Sequence, residues 1–310
     1  MRILQLSSGD LVADRRTGYA AALAEDKDFS AAAELMEQAL ELVPGWAAGW
    51  CLLGDYRNEA GNAAGAIAAY RELAERDADG VFGAGLKLAA LGAAPAPERT
   101  DVPYVETLFD DYAARFETAL VDGLGYVAPA RLGALIDAAL VGQAPVARAL
   151  DLGCGTGLMG ERLRQHAQRL DGIDLSAGMI AEAVRKGIYD RLEQAELMAF
   201  LGGADEPYDL MAAADVLNYC GALPPIMAAA AARLAPGGLF AFTLEQHDGE
   251  EPLVLRTSLR YAHSGAAARA AVVEAGLILR TLVTAPLRQD RGQPVWGLLV
   301  LAERPSDSQN

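Results

Sequence analysis

The 310 residues predict an all-α region of repeated helices followed by an α/β domain, an open and mostly parallel sheet that ends in an antiparallel hairpin. Three observations predict it. The apolar run Val146–Leu152 stops at a glycine-rich turn, and a helical stretch begins at once. Apolar runs and helical stretches then alternate to about residue 245. Upstream, residues 18–94 are rich in alanine at helical spacing and repeat themselves 34 positions on.

Composition narrows the classes of function. The chain is 52% hydrophobic, enough for sizeable cores, and its formal net charge is −16. Nucleic-acid binding normally draws on a basic face that neutralises phosphates, so this balance argues against DNA or RNA as a partner. Cys51, Cys154 and Cys220 lie far apart with no C-x-x-C pair, which predicts neither a metal site nor a disulfide framework. Reduced thiols suit the cytoplasm. Residues 1–8 lack a long apolar signal core. The most apolar region, 210–244, is broken by Asp215, Pro224, Pro225, Arg233 and Pro236 and does not read as a membrane-crossing helix.

Residues 1–92 are expected to form the helical unit. Ala32, Met36, Ala39 and Pro44 recur as Ala66, Tyr70, Leu73 and Ala78, with Trp50, Leu53, Gly54 and Gly61 filling further places of the second copy. Small alanines let paired helices approach, and the larger residues fill the groove between them. The pattern resembles tetratricopeptide (TPR) repeats. It departs from them at Arg16 and Arg57, where aromatic residues are usual, and a third copy shows only one helix, residues 80–91. The resemblance implies either a cradle for a protein or peptide partner or a helical cap that shapes the enzyme or a dimer contact. Residues 93–103, with Pro95, Pro97 and Pro103, read as a stiff linker. In residues 104–116, Phe109, Tyr112 and Phe116 share one helical face. Residues 126–140 continue as a helix.

The glycine turn carries the chemistry. Asp151 ends the first strand, and Gly153, Gly155 and Gly157 follow around Cys154, so the backbone can turn tightly and approach a ligand. Gly155 to Gly160 also fits the dinucleotide fingerprint G-x-G-x-x-G, which keeps an NAD-dependent oxidoreductase as a competing class. An acid at Asp151 would repel a pyrophosphate and attract a cationic amino group. The stretch Asp151-Leu152-Gly153-Cys154-Gly155-Thr156-Gly157 resembles motif I of class I S-adenosylmethionine (SAM)-dependent methyltransferases, D-x-G-x-G-x-G. With the helical unit, the chain resembles predicted TPR-containing methyltransferases.

The elements after the turn follow in order. A strand over 169–176 ends in Asp174, about 20 residues beyond the glycines, where an acid meets ribose hydroxyls. Ser176 caps the next helix. Residues 193–200 are read as a short strand, 208–217 as the fourth, and 239–245 as the fifth after the Ala235-Pro236-Gly237-Gly238 turn. Residues 246–264 read as an irregular polar loop, and 277–287 with 295–301 as the closing hairpin. The tail, 305–310, reads as disordered.

The resemblance implies a Rossmann-like class I methyltransferase domain over 104–304 and the roles of further residues. It implies Asp151, Gly153, Cys154, Gly155, Gly157, Asp174, Leu175 and Asp215 around SAM, with Met179, Glu196 and the Leu197 N–H about adenine and Tyr112 near the sulfonium. Asn218, Tyr219, Arg260 and Tyr261 are placed near the acceptor, with His247 and His263 as candidate bases. The acceptor, a small molecule or a protein, is not named by the residues. A non-catalytic SAM-binding scaffold stays open beside the enzyme.

Overall fold

The computed structural model describes residues 7–113, 116–117, 123–203, 206–290 and 292–306. The readings of residues 1–6, of 114–115 in the aromatic helix and of the tail from 307 lie outside them. The chain divides into two compact units, up to Tyr104 and from Val105.

The first unit is a run of paired helices: α1 (Leu11–Glu25), α2 (Phe29–Leu42), α3 (Ala47–Glu59), α4 (Ala63–Ala74) and the short α5 (Ala84–Ala90). Asp10, Asp28 and Asn62 cap α1, α2 and α4 by accepting from first-turn N–H groups. α2 and α4 begin 34 residues apart, and the matched residues Ala32, Met36, Ala39, Ala66, Tyr70 and Leu73 are all buried. A Cβ added at Gly54 would lie 2.2 Å from a ring carbon of Tyr70, whose hydroxyl donates to Asp55 at 2.8 Å. Gly54→Ala should therefore destabilise this unit by about 1–3 kcal/mol, since the ring cannot move without breaking that bond. Urea unfolding followed by circular dichroism checks this; an unchanged midpoint would mean that the helices do not meet as closely at this point.

The second unit opens with α6 (Val102–Tyr112), which begins just before the division, and α7 (Ala128–Ala139). Then come β1 (Val146–Leu152), α8 (Leu158–Leu163), β2 (Ala167–Asp174), α9 (Ala177–Lys186), β3 (Arg191–Gln194), α10 (Leu197–Leu201), β4 (Tyr208–Ala213) and α11 (Leu223–Arg233). The chain closes with β5 (Leu234–Gln246), β6 (Leu253–Leu255), β7 (Tyr261–His263), α12 (Gly265–Glu274), β8 (Ile278–Asp290) and β9 (Gln293–Glu303).

Among the described residues these nine strands form one sheet. Its path is β3-β2-β1-β4-β5-β7-β6, and β9 pairs antiparallel with both β5 and β8. β1 to β5 are parallel. The order reverses between β1 and β4, which puts the ligand crevice of an open α/β sheet at the carboxyl end of β1. Each face carries its own core. Leu150, Leu152, Phe240 and Phe242 pack toward α11 and α12, whereas Ala149, Leu170, Leu210 and Leu301 pack toward α7 and α8.

Three expectations are corrected. The strand expected at 193–200 is β3 over 191–194, and α10 follows; Glu196 caps that helix by accepting from the Ala199 N–H. The fourth strand stops at Ala213, and a 3-10 turn occupies Leu217–Tyr219 because Asp215 adopts φ +62° and ends the extended run. Residues 246–264 are not an irregular loop. β6 and β7 form a hairpin there, and β7 pairs with the end of β5.

Candidate active site

The glycine turn sits at the switch point. Gly153, Gly155 and Gly157 have φ of +64°, +53° and +98°, conformations that favour glycine. A Cβ at Gly153 would lie 2.5 Å from Val216 Cγ2, whereas at Gly155 it would meet nothing within 4 Å. The turn is thus closed on the β4 side and, among the described residues, open above Gly155. The Cys154 N–H donates to the Ile173 carbonyl at 2.8 Å, tying the turn to β2. The Cys154 thiol is buried, and burial pushes its pKa well up.

Asp174 holds the same turn. Its Oδ2 accepts from the Gly155 N–H and its Oδ1 from the Ser176 N–H, both at 2.8 Å. Burial pushes this carboxyl up, and the backbone donors work against that. Leu175 follows, and its carbonyl accepts from Gln194 Nε2 at 3.0 Å. Leu197 is the first residue of α10, where an N–H lies outside the helix's own hydrogen-bond ladder.

Two residues behave differently from expectation. Asp151 is not an open carboxylate facing a ligand; it is fully buried on the α7–α8 face of the sheet. Its Oδ2 accepts from the Tyr189 hydroxyl at 2.7 Å, and its buried Oδ1 has no partner within hydrogen-bond distance among the described residues. Burial, with the Asp174 charge behind it, pushes its pKa up to about 7, against the opposing pull of the Tyr189 hydroxyl and the Gly160 N–H. The repulsion of a pyrophosphate expected from an ionised Asp151 is weakened accordingly. Met179 is also buried, because it lies on the inner face of α9.

Aromatic residues on and beyond α6 lie beside this cleft. Asp110 Oδ1 accepts from the Gly178 N–H at 3.0 Å and from the Ser176 hydroxyl, which fixes α6 to the start of α9. Glu117 accepts from the Thr156 hydroxyl at 2.6 Å and pairs with Lys186 at 2.7 Å. Tyr112 meets Phe116 edge-to-face at 5.7 Å, and Phe109 meets Tyr219 at 5.3 Å.

Past β4 and β5 a buried ionic network takes over. Arg288 Nη1 donates to both oxygens of Asp215 at 3.1 Å, and its Nη2 donates to Glu245. Arg256 and Arg260 lie 3.5 and 3.7 Å from Glu245. Arg260 Nε donates to the Tyr219 hydroxyl at 3.0 Å, and its guanidinium lies 5.5 Å from that ring's centre. Asn218 donates to Asp215 at 3.3 Å, and its own buried Oδ1 has no hydrogen-bond partner among the described residues. Tyr126 faces the same charges; burial, followed by Asp215, pushes its hydroxyl up.

The structure thus gathers Asp215, Asn218, Tyr219 and Arg260 into one cluster, and it adds Arg288, Glu245 and Tyr126, which sequence reasoning missed. It turns Tyr261 and His263 inward. Tyr261 is fully buried in β7 and presents no surface to a ligand. His263 is buried in the same strand, and its Nε2 donates to the Gly221 carbonyl at 2.8 Å. Burial pushes His263 down, so it is held neutral with its proton on Nε2. His247 meets His263 only through the backbone, N–H to carbonyl at 2.9 Å, and its ring lies 3.2 Å from Glu251 instead.

Residues 150–240 match the family described as a methyltransferase domain. Over 97 residues the chain is 35% identical to malonyl-[acyl-carrier protein] O-methyltransferase of Enterobacter lignolyticus, covering 31% of this chain and 38% of that one. Over 109 residues it is 34% identical to trans-aconitate 2-methyltransferase of Deinococcus radiodurans, covering 33% and 40%. The chain thus spans about two fifths of the length of these curated relatives. Among solved structures, magnesium protoporphyrin IX methyltransferase of Synechocystis with bound SAM is similar at 18% identity, with a TM-score of 0.48 over 64% of this chain and 96% of that one. The match to a methyltransferase domain thus lies within the parallel sheet of the second unit and includes the glycine turn.

Proposed function

We propose that the protein transfers a methyl group from SAM to a small-molecule or protein acceptor. The observation that carries this reading is the open glycine turn. Three left-handed glycines stand at the switch point, backed by the Asp174 carboxylate, inside the segment that matches a methyltransferase domain. Asp174 would accept from the ribose hydroxyls, and the Leu197 N–H and Glu196 would meet the adenine edge. Tyr112 would lie near the sulfonium, where a ring face attracts a cation. SAM supplies a methyl already activated on sulfur, so the chain's task is to align the acceptor and exclude water. Asp215 and Arg288 would stiffen the acceptor side of the cleft rather than move a proton.

The first unit is proposed as a TPR-like cradle for a protein or peptide, with a structural cap as the second reading. Among the described residues no helix is long and apolar enough to cross a membrane. A cytoplasmic location is proposed from the reduced cysteines and the acidity.

Calorimetric titration with SAM tests the reading. Micromolar binding is expected for the wild type, and Asp174→Ala should weaken it at least tenfold, because the loss strips both the ribose contact and the Gly155 tether. Binding of NADH instead of SAM would reassign the site to an oxidoreductase. SAM binding without transfer to any acceptor would leave a scaffold.

A further inference from the structure

The ionic network beyond the glycine turn is unbalanced in charge. Two carboxylates, Asp215 and Glu245, face three guanidinium groups, Arg288, Arg260 and Arg256. Arg288 is held by the two acids, both of which are largely or fully buried. The nearby acids Asp248 and Glu251 are exposed and engaged by Gln246 and His247. Arg260 shares Glu245 with Arg288 and Arg256 and has no acid to itself. Its Nε serves Tyr219, its Nη1 stands 3.7 Å from an oxygen already bonded to Arg288, and its terminal nitrogens have no hydrogen-bond acceptor among the described residues.

The backbone holds this cation in place. Arg256 and Arg260 stand at the two ends of the tight turn between β6 and β7, closed by the Arg256 N–H to Arg260 carbonyl bond at 2.9 Å. Leu259 takes φ +59° within it. Three quarters of the Arg260 side chain is shielded from solvent, against the Tyr219 ring that Phe109 covers from its other neighbours. A guanidinium in such low-dielectric surroundings binds an anion far better than one in water, and its planar fork fits a carboxylate with two parallel bonds.

We propose that the methyl acceptor carries a carboxylate, and that Arg260, with Arg256 beside it, holds that carboxylate as the third acid the network lacks. This rests on the methyltransferase reading. It deepens that reading by assigning an acidic small molecule, or a larger acceptor presenting a free carboxylate, to the cleft between Tyr219 and the β6–β7 turn. Arg260 is a substrate-binding residue in this assignment and takes no part in holding SAM.

The test uses the full chain. Tritiated-methyl SAM is incubated with a small-molecule cell extract and a protein extract, each divided by anion exchange at neutral pH. Acceptor activity is expected in the retained, anionic fraction. Arg260→Gln, which keeps a donor for Tyr219, should raise the KM for that fraction tenfold or more and leave the SAM dissociation constant within twofold. Arg260→Lys should recover part of the loss, because a point charge replaces the fork. Once the parent acid is purified, its own binding beside S-adenosylhomocysteine should weaken tenfold in Arg260→Gln by calorimetry, a readout independent of turnover. Acceptor activity confined to the unretained fraction, an unchanged KM in Arg260→Gln, or no labelled acceptor despite bound SAM would each overturn the assignment. Failure of the wild type to bind SAM would instead overturn the reading beneath it.

Discussion

Arg288→Met should be the most damaging single substitution in the second unit, at a cost of about 3–5 kcal/mol. The side chain is only 3% exposed and is shared by two carboxylates. Removing it leaves Asp215 without a guanidinium partner, while Glu245 keeps Arg256 and Arg260, and a buried unpaired charge is far dearer than the pair was worth. The cost is thus a penalty of breaking, not the net value of the network. That distinction has its own consequence: adding Asp215→Asn to Arg288→Met should return part of the lost stability, since it removes the stranded charge, whereas Glu245 keeps Arg256 and Arg260. Chemical unfolding of the four proteins of this cycle measures it. A loss below about 1 kcal/mol in the single variant would mean that solvent reaches the network and screens it.

What was legible in the chain follows from the range of each interaction. β1 and its turn are local: a buried parallel strand is a continuous apolar run, and left-handed turns ask for glycine. Asp174 is legible for the same reason, since it closes the next strand. α10 was read as strand because five residues are too few to display a helical period. The Arg288 network could not be read at all. Its partners are 73 and 43 residues away, and an arginine near the end of an apolar strand looks like a solvated edge until the opposing acids are in place. The Tyr189–Asp151 bond spans 38 residues and hid in the same way, so that an acid expected to be open turned out to be sealed. In the histidine region, a polar composition suggested a loop over the acceptor, yet pairing of β7 with β5 turned Tyr261 and His263 inward. Polar residues there are consumed by sheet geometry rather than offered to a ligand.

Ligand-free wild type should lose stability as the pH is raised from 5 to 8, and Asp151→Asn should flatten most of that loss. Unfolded, the carboxyl titrates near its ordinary value of 3.8; folded, burial holds its proton up to about 7. Between those values the folded state binds one proton more than the unfolded state, so stability falls with rising pH. The penalty is absent below pH 4 and complete above pH 7, where about 3 pH units correspond to about 4 kcal/mol. His263, pushed down by burial, acts with the opposite sign below its ordinary 6.5, since the unfolded chain then takes the extra proton. Asp174 is pushed up and adds to the Asp151 trend. Subtracting the Asp151→Asn curve from the wild type removes both. The same titration decides what the buried acid is for. If the amino group of SAM reaches the buried Oδ1, it must drive the proton off, and SAM affinity should rise through pH 6–7 by up to about tenfold per unit in the wild type and stay flat in Asp151→Asn. A stability slope with no matching affinity slope would make Asp151 a neutral strut under the glycine turn, and the ligand's cation would have to be met by the turn's own carbonyls.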